Sequence, residues 1–268
     1  QVRQTLDSAT SATATLNAGT EQLVPVDTTN AQSDAKVVQL DNGNTLVVYY
    51  QGTGTNDTYT VGRLYDAKGL PLGGSFVISQ TGILPDVTAV PGGAFVATEL
   101  ETGGVAGVFI GNTGSVTVPQ FNVANVGSNV QTTTLSNGDV AVVWRVDNAG
   151  TSTVWGSVYG ANGSLKTSAT QLASFTASGP LNGTYGANRD LDIAAGTNGK
   201  LIVTWQALGD GDGTGVYAQT FNANLSAANS AAQVSTVSTN YQVQPAISTY
   251  TDGSYVVSWM SWGQDGMS

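Results

Sequence analysis

The run Asn137-Gly138-Asp139-Val140-Ala141-Val142-Val143-Trp144 decides the fold, because the same pattern returns along the whole chain. Asn42-Gly43 stands before TLVVYY, Gly92-Gly93 before AFVATE, Asn198-Gly199 before KLIVTW, and Asp252-Gly253 before SYVVSW. The glycines at 43, 93, 138, 199 and 253 are separated by 50, 45, 61 and 54 residues, and six residues after them come Tyr49, Glu99, Trp144, Trp205 and Trp259. A period of this length marks a repeat architecture. Asn-Gly and Asp-Gly supply the positive φ angles of a tight two-residue hairpin turn.

The segments around each turn extend the unit. A short alternating strand precedes it (KVVQL, DVTAV, QTTTL, DIAAG, AISTY), and a mostly apolar strand, reading as buried on both faces, follows. A third strand ends in a second turn (GRLYDAKG, GVFIGNTG, GSVYGANG, AQTFNANL), and SFVIS, QFNVA, TQLAS and AAQVS supply a fourth. Four-stranded antiparallel units at this period are what propeller blades require. The fifth repeat stops after two strands, and near the N-terminus ATLNAG (Ala14 to Gly19) and EQLVPV (Glu21 to Val26) read as its missing strands. The expectation is an all-β, five-bladed β-propeller forming one domain over residues 1–268, its fifth blade completed by N- and C-terminal strands. The blades fall at about 34–83, 84–128, 129–187, 188–243, and 244–268 plus 12–30. An open row of β units cut from a longer array is the competing arrangement.

Composition narrows the chemistry. The 268 residues include no Cys and no His, so disulfides, thiolate or imidazole metal sites and Ser-His-Asp catalysis are excluded. Carboxylates remain, 15 Asp against 3 Glu (Glu21, Glu99, Glu101), and the net charge is −10. Nucleic acid and anionic membranes are excluded as expected partners, because both need a basic surface. No run of 18 apolar residues occurs, so no membrane insertion is expected. Beginning at Gln1 rather than Met, the chain reads as a processed or excised fragment. Its wealth of Thr, Ser, Asn and Gly suits a secreted protein of the bacterial surface.

The runs QPAISTYTDGSYVVSWMSWGQDG (Gln244 to Gly266) and GDGDGTGVYAQTFNANL (Gly209 to Leu225) resemble the tandem propeller-like repeat of secreted bacterial RTX/haemolysin-type surface adhesins. The resemblance covers blades four and five well, one and three loosely, and two poorly. It implies secretion and a surface or adhesive role without naming a ligand.

Several constellations are candidates for chemistry. In the blade-four loop Leu208 to Gly215, Asp210 and Asp212 could wrap oxygens around Ca²⁺, although Asp and Gly are also simply good turn formers. Equivalent loops hold Asn56-Asp57, Asp147-Asn148 and Gln264-Asp265. On strand one, the alternate positions read Asp34/Lys36, Leu84/Asp86, Asn129/Gln131, Asp190/Asp192 and Gln244/Ala246. Strand one is the innermost strand of a blade. Asp34, Asp86, Gln131, Asp190 and Asp192 are therefore expected to converge at the channel mouth, as a ligand site or as a hydrated lining. Trp262 beside Asp265 could hold a sugar, by stacking and hydroxyl bonding, or could pack on the blade edge. Trp144, Trp205 and Trp259 read as core between blades. Glu99 occupies the aromatic anchor of blade two, and with Asp34 or Asp86 it could form the acid and partner of a glycosidase.

The favoured expectation is a secreted, non-enzymatic recognition or adhesion module that binds carbohydrate or a surface glycan, with Ca²⁺ a candidate cofactor. Its rivals are a glycoside hydrolase using Asp/Glu pairs at the channel and a purely structural surface scaffold.

Overall fold

The computed structural model describes residues 24–25, 31–52, 58–176 and 190–262, with the Asp212 side chain left out. The described residues are all β, without helix, in four sheets. Blade one holds β1 (Gln32–Gln39), β2 (Thr45–Gly52), β3 (Thr58–Tyr65) and β4 (Phe76–Ser79). Blade two holds β5 (Gly82–Val90), β6 (Gly93–Leu100), β7 (Val105–Gly111) and β8 (Val116–Ala124). Blade three holds β9 (Ser128–Thr134), β10 (Val140–Asn148), β11 (Thr151–Tyr159) and β12 (Leu165–Thr176). Blade four holds β13 (Leu191–Ala195), β14 (Lys200–Leu208), β15 (Asp212–Asn222) and the short β16 (Ala232–Gln233).

The expected five-bladed ring is corrected here: the protein is a four-bladed β-propeller. The last hairpin, β17 (Thr239–Thr249) and β18 (Tyr255–Ser261), does not found a separate sheet. β17 starts early enough to run parallel to β15, pairing Asp212, Gly213 and Thr214 with Thr239, Asn240 and Tyr241, so it extends the fourth sheet. Residues 12–23 and 26–30, proposed to complete a fifth blade, lie outside the described residues.

The core sits between the sheets, as it must when both faces of each β2-type strand are apolar. One cluster joins blades one and two around Leu46, Val48, Val96 and Ile110; a second joins two and three around Phe95, Phe109, Val142 and Trp144; a third joins three and four around Val143, Ile193, Val203 and Trp205. Trp144 and Trp205 are 2% and 4% exposed, whereas Trp259 on the outermost strand is half-buried.

The turns explain one misplaced residue. In blades one and three the loop holds three residues: Leu40 N bonds Asn44 O and Leu135 N bonds Asp139 O, with left-handed Gly43 and Gly138 closing each turn. Blade two has the two-residue connection Pro91-Gly92, because Val90 pairs directly with Gly93. The left-handed residue there is Gly92, at φ 83°, and Gly93 already belongs to β6. The anchor six residues on is therefore Thr98, fully buried, and not Glu99, which falls one position later. Gly93 cannot carry a side chain, since a Cβ would lie 1.9 Å from the Ile110 carbonyl oxygen. Gly93→Ala is expected to cost on the order of 2–3 kcal/mol, read as a lowered urea midpoint, because backbone must move to relieve the clash.

Candidate active site

β1, β5, β9 and β17 break register near their starts, whereas β13 pairs with β14 without a skip. Skips occur between Ser33 and Lys36, between Ile83 and Asp86, and between Val243 and Ala246, and β9 skips at the equivalent place against β10. Asp34, Leu84, Asn129 and Gln244 take left-handed φ angles there, between 48° and 55°. Such bulges leave backbone N–H groups without ladder partners. Blade two supplies acceptors to β9, and β13 and β14 supply them to β17. Asn129 N donates to Glu99 Oε1 at 2.6 Å, and Gln244 N to Gln206 Oε1 at 3.0 Å. Three residues further on, Thr132 N donates to Asp86 Oδ2 at 2.7 Å, and Ile247 N to Asp192 Oδ2 at 2.8 Å.

These contacts bring the strand-one polar residues to the channel. Lys36, Gln131 and Asp192 line a central cavity of about 340 Å³ with Ala246. Lys36 Nζ pairs with Asp86 Oδ1 at 3.1 Å. A narrow cleft of about 40 Å³, bordered by Asp34, Lys36, Leu84, Glu99 and Gln131, connects this cavity outward. It shares Asp34 and Leu84 with a mouth cavity of about 440 Å³ that also meets Ser33, Tyr50, Thr58 and Glu101. The three cavities, which share lining residues in turn, mark an acidic groove that leads from the surface between blades one and two toward the axis.

Electrostatics single out Glu99. Burial pushes its carboxyl up to about 7; the Asn129 and Val130 N–H groups oppose that, and the neighbouring Asp34 charge reinforces it. Asp192 is raised to about 6, again by burial first, against its bonds from Ile247 and Ile193. Asp34 carries no inter-blade bond among those described; its Oδ2 accepts from Ser33 Oγ at 2.6 Å. A group protonated near neutrality beside an open carboxylate can pass a proton and assist a reaction at a glycosidic oxygen.

The expected ligand residues are distributed unequally. Asp34, Asp86, Gln131 and Asp192 gather towards the groove, but Asp86 is engaged in holding blade three and Asp192 in holding β17. Asp190 lies off the groove, bonded at 2.7 Å to buried Arg145, which also binds Asp147. Burial raises the Asp190 carboxyl and the Arg145 charge opposes the rise. Trp262 lies beyond the end of β18, its backbone N–H bonded to Tyr241 O, and it borders none of the three groove cavities. Asp265 and the Asp212 side chain lie outside the described residues. Asp210 remains in the β14–β15 loop, and among the described residues no three acidic side chains gather as a metal site. Glu101 is in an exposed turn where it accepts from Thr58 Oγ1 at 2.7 Å, and is not on the face of Glu99. Sequence reasoning missed Gln206 and Arg145 as the counterparts of Glu99. All three stand seven residues after a left-handed glycine, so the correct turn in blade two would have revealed them.

No family profile matches the chain, and no curated protein does. Among solved structures it is similar to an endo-arabinase from Bacteroides thetaiotaomicron (11% identity, TM-score 0.49, 88% of this chain and 90% of that one). It is also similar to an endo-1,4-β-xylanase from the same organism (13%, 0.48, 86% and 84%) and to an α-L-arabinofuranosidase from Podospora anserina (10%, 0.44, 74% and 66%). At these identities and scores the likenesses carry no argument about activity. The expected resemblance to RTX/haemolysin-type adhesins is corrected: no family profile or curated protein carries it, and the similar structures named are an arabinase, a xylanase and an arabinofuranosidase. The non-enzymatic, calcium-dependent adhesion module is not retained either. Among the described residues no helix is long and apolar enough to cross a membrane.

The raised groups set a pH dependence. Glu99 and Asp192 favour the folded state when neutral, so that stability is complete below the ordinary carboxylate range and is lost as pH rises through about 6 and about 7. Glu99→Gln reproduces the Gln206 contact without the charge. It is expected to stabilise the protein at about pH 8 by on the order of 2–3 kcal/mol and to match wild type at about pH 4, in denaturant titrations at both pH values.

Proposed function

We propose that the chain is a glycoside hydrolase acting on a neutral glycan in the groove between blades one and two, with Glu99 as proton donor and Asp34 as the partner carboxylate. The observation that carries this is the pairing itself: a buried carboxyl held near pKa 7 shares a cleft with a second carboxylate facing open space. Glycosidic cleavage needs such a pair, one group protonated to release the leaving oxygen and one charged to activate water or attack the anomeric carbon. Asp34 is a better partner than Asp86, whose two oxygens are taken by Lys36 and by Thr132. Tyr50, Thr58 and Ser33 around the mouth offer the hydroxyls and ring that orient a sugar. Lys36 is ringed by Asp34, Asp86, Asp192 and Glu99, so the groove disfavours uronic acids.

A second reading has its own observation. Gln206 makes the Glu99 contact with an amide, so Glu99 could serve the ring as a latch alone. The two readings separate in one assay, reducing-end release from arabinan, xylan and cellulose oligosaccharides. Hydrolysis is expected to fall about a hundredfold or more in both Glu99→Gln and Asp34→Asn. It is also expected to decline in wild type as pH rises through about 7, where the donor loses its proton. No turnover of any neutral glycan, or full turnover by Glu99→Gln, leaves the latch alone.

A further inference from the structure

The interface between blades two and three holds the rings Phe95, Phe109, Phe121 and Tyr159, but it has no counterpart of a ring that caps the tryptophan at the interface between three and four. Phe175 of β12 lies over Trp205 at 6.1 Å and 14°, and Tyr217 lies on Trp205 at 6.4 Å and 16°. Trp205 pairs across strands with Tyr217, and Trp144 in blade three pairs in the same way with Trp155. The fourth strands also correspond. On β12 the register skips between Val154 and Trp155, and on β8 between Val105 and Ala106, the same place in the unit. Gln171 opposite Trp155 thus matches Asn122 opposite Ala106, Ala173 matches Ala124, and Phe175 matches Val126.

Val126 is 61% exposed, and its branched side chain covers far less than a phenyl ring. A cavity of about 370 Å³ remains beside it, bordered by Asn122, Asn125, Trp144, Val146 and Trp155. Trp144 is closed off by Gly127, whose Cβ position lies 2.5 Å from the indole. Trp155 is half-buried, and its orientation is set by its Nε1–H bond to Thr153 Oγ1 at 2.9 Å. At the rim Asn122 Nδ2 donates to Asn125 Oδ1 at 2.8 Å, which holds the two amides together.

We propose that this cavity is a second carbohydrate-binding site, outside the channel, that takes one neutral pyranose ring in the space left open between Val126 and Trp155. The apolar face of the sugar lies against Trp155, and its hydroxyls meet the Asn122 and Asn125 amides. None of the side chains named is charged, so neither uronate nor amino sugar is favoured. The choice of a sugar over another flat ring rests on the carbohydrate reading of the groove. The site itself rests on the mismatch between two equivalent interfaces.

Titration of xylohexaose, arabinohexaose and cellohexaose against the full chain, followed by tryptophan fluorescence and calorimetry, tests this site. Val126→Phe restores the missing ring. It is expected to weaken binding by about tenfold or more, to raise the melting temperature, and to leave channel hydrolysis of a small aryl glycoside unchanged. Trp155→Ala is expected to weaken binding comparably, and Glu99→Gln to leave it intact, which separates this site from the groove. Undiminished binding by Val126→Phe, or no binding of any of the three oligosaccharides, overturns the proposal. Binding lost in Val126→Phe without any hydrolysis by wild type would retain this site and remove the catalytic one.

Discussion

The bond from the N–H of β9 or β17 to a side-chain oxygen of the strands packed before it is the constraint on which the rest of the molecule depends. Sheets that pack face to face gain apolar contact but no register, because hydrophobic attraction is non-directional. Register between blades two and three comes from Asn129 N on Glu99 and Thr132 N on Asp86, and the last hairpin is held to β13 and β14 by Gln244 N on Gln206 and Ile247 N on Asp192. The bulges that expose these donors also turn the inner strands, which puts Asp34, Lys36 and Gln131 at the axis. Structure and candidate chemistry thus arise from one irregularity repeated in blades one to three and in β17.

That double use has an energetic consequence. A carboxylate that caps a buried N–H must lose most of its hydration, and burial outweighs the bonds it gains at Glu99 and Asp192, since both are raised despite two backbone partners each. Gln206 performs the same task without a charge. The retention of Glu at one of two equivalent places, at a cost in stability above neutral pH, is the pattern expected of a residue held for chemistry at the expense of stability.

Legibility in the sequence followed the range of the physics involved. The β2-type strands could be read directly, because buried-on-both-faces strands need unbroken apolar runs such as VAVVW. The strand-one positions that reach the channel could also be read, since alternation across a pleated strand needs no tertiary knowledge. Blade two slipped by one residue because Gly92 and Gly93 are indistinguishable in sequence, and only pairing of Val90 with Gly93 identifies which is left-handed. That slip hid the kinship of Glu99, Arg145 and Gln206. The parallel attachment of β17 to β15 was illegible, because it joins segments whose local patterns are complete without it. The unequal stacks at the two interfaces were illegible for the same reason: Phe175 and Val126 sit in unlike local sequence and correspond only through a shared bulge.

The central claim is that Glu99 stays protonated near neutrality beside Asp34, and carboxyl carbon NMR titration tests it most directly. The chain has three Glu residues, so the Glu99 resonance can be assigned with one substitution. The account predicts a midpoint near 7, moving down when Asp34→Asn removes the neighbouring charge. A midpoint in the ordinary carboxylate range, unaffected by Asp34→Asn, would contradict it.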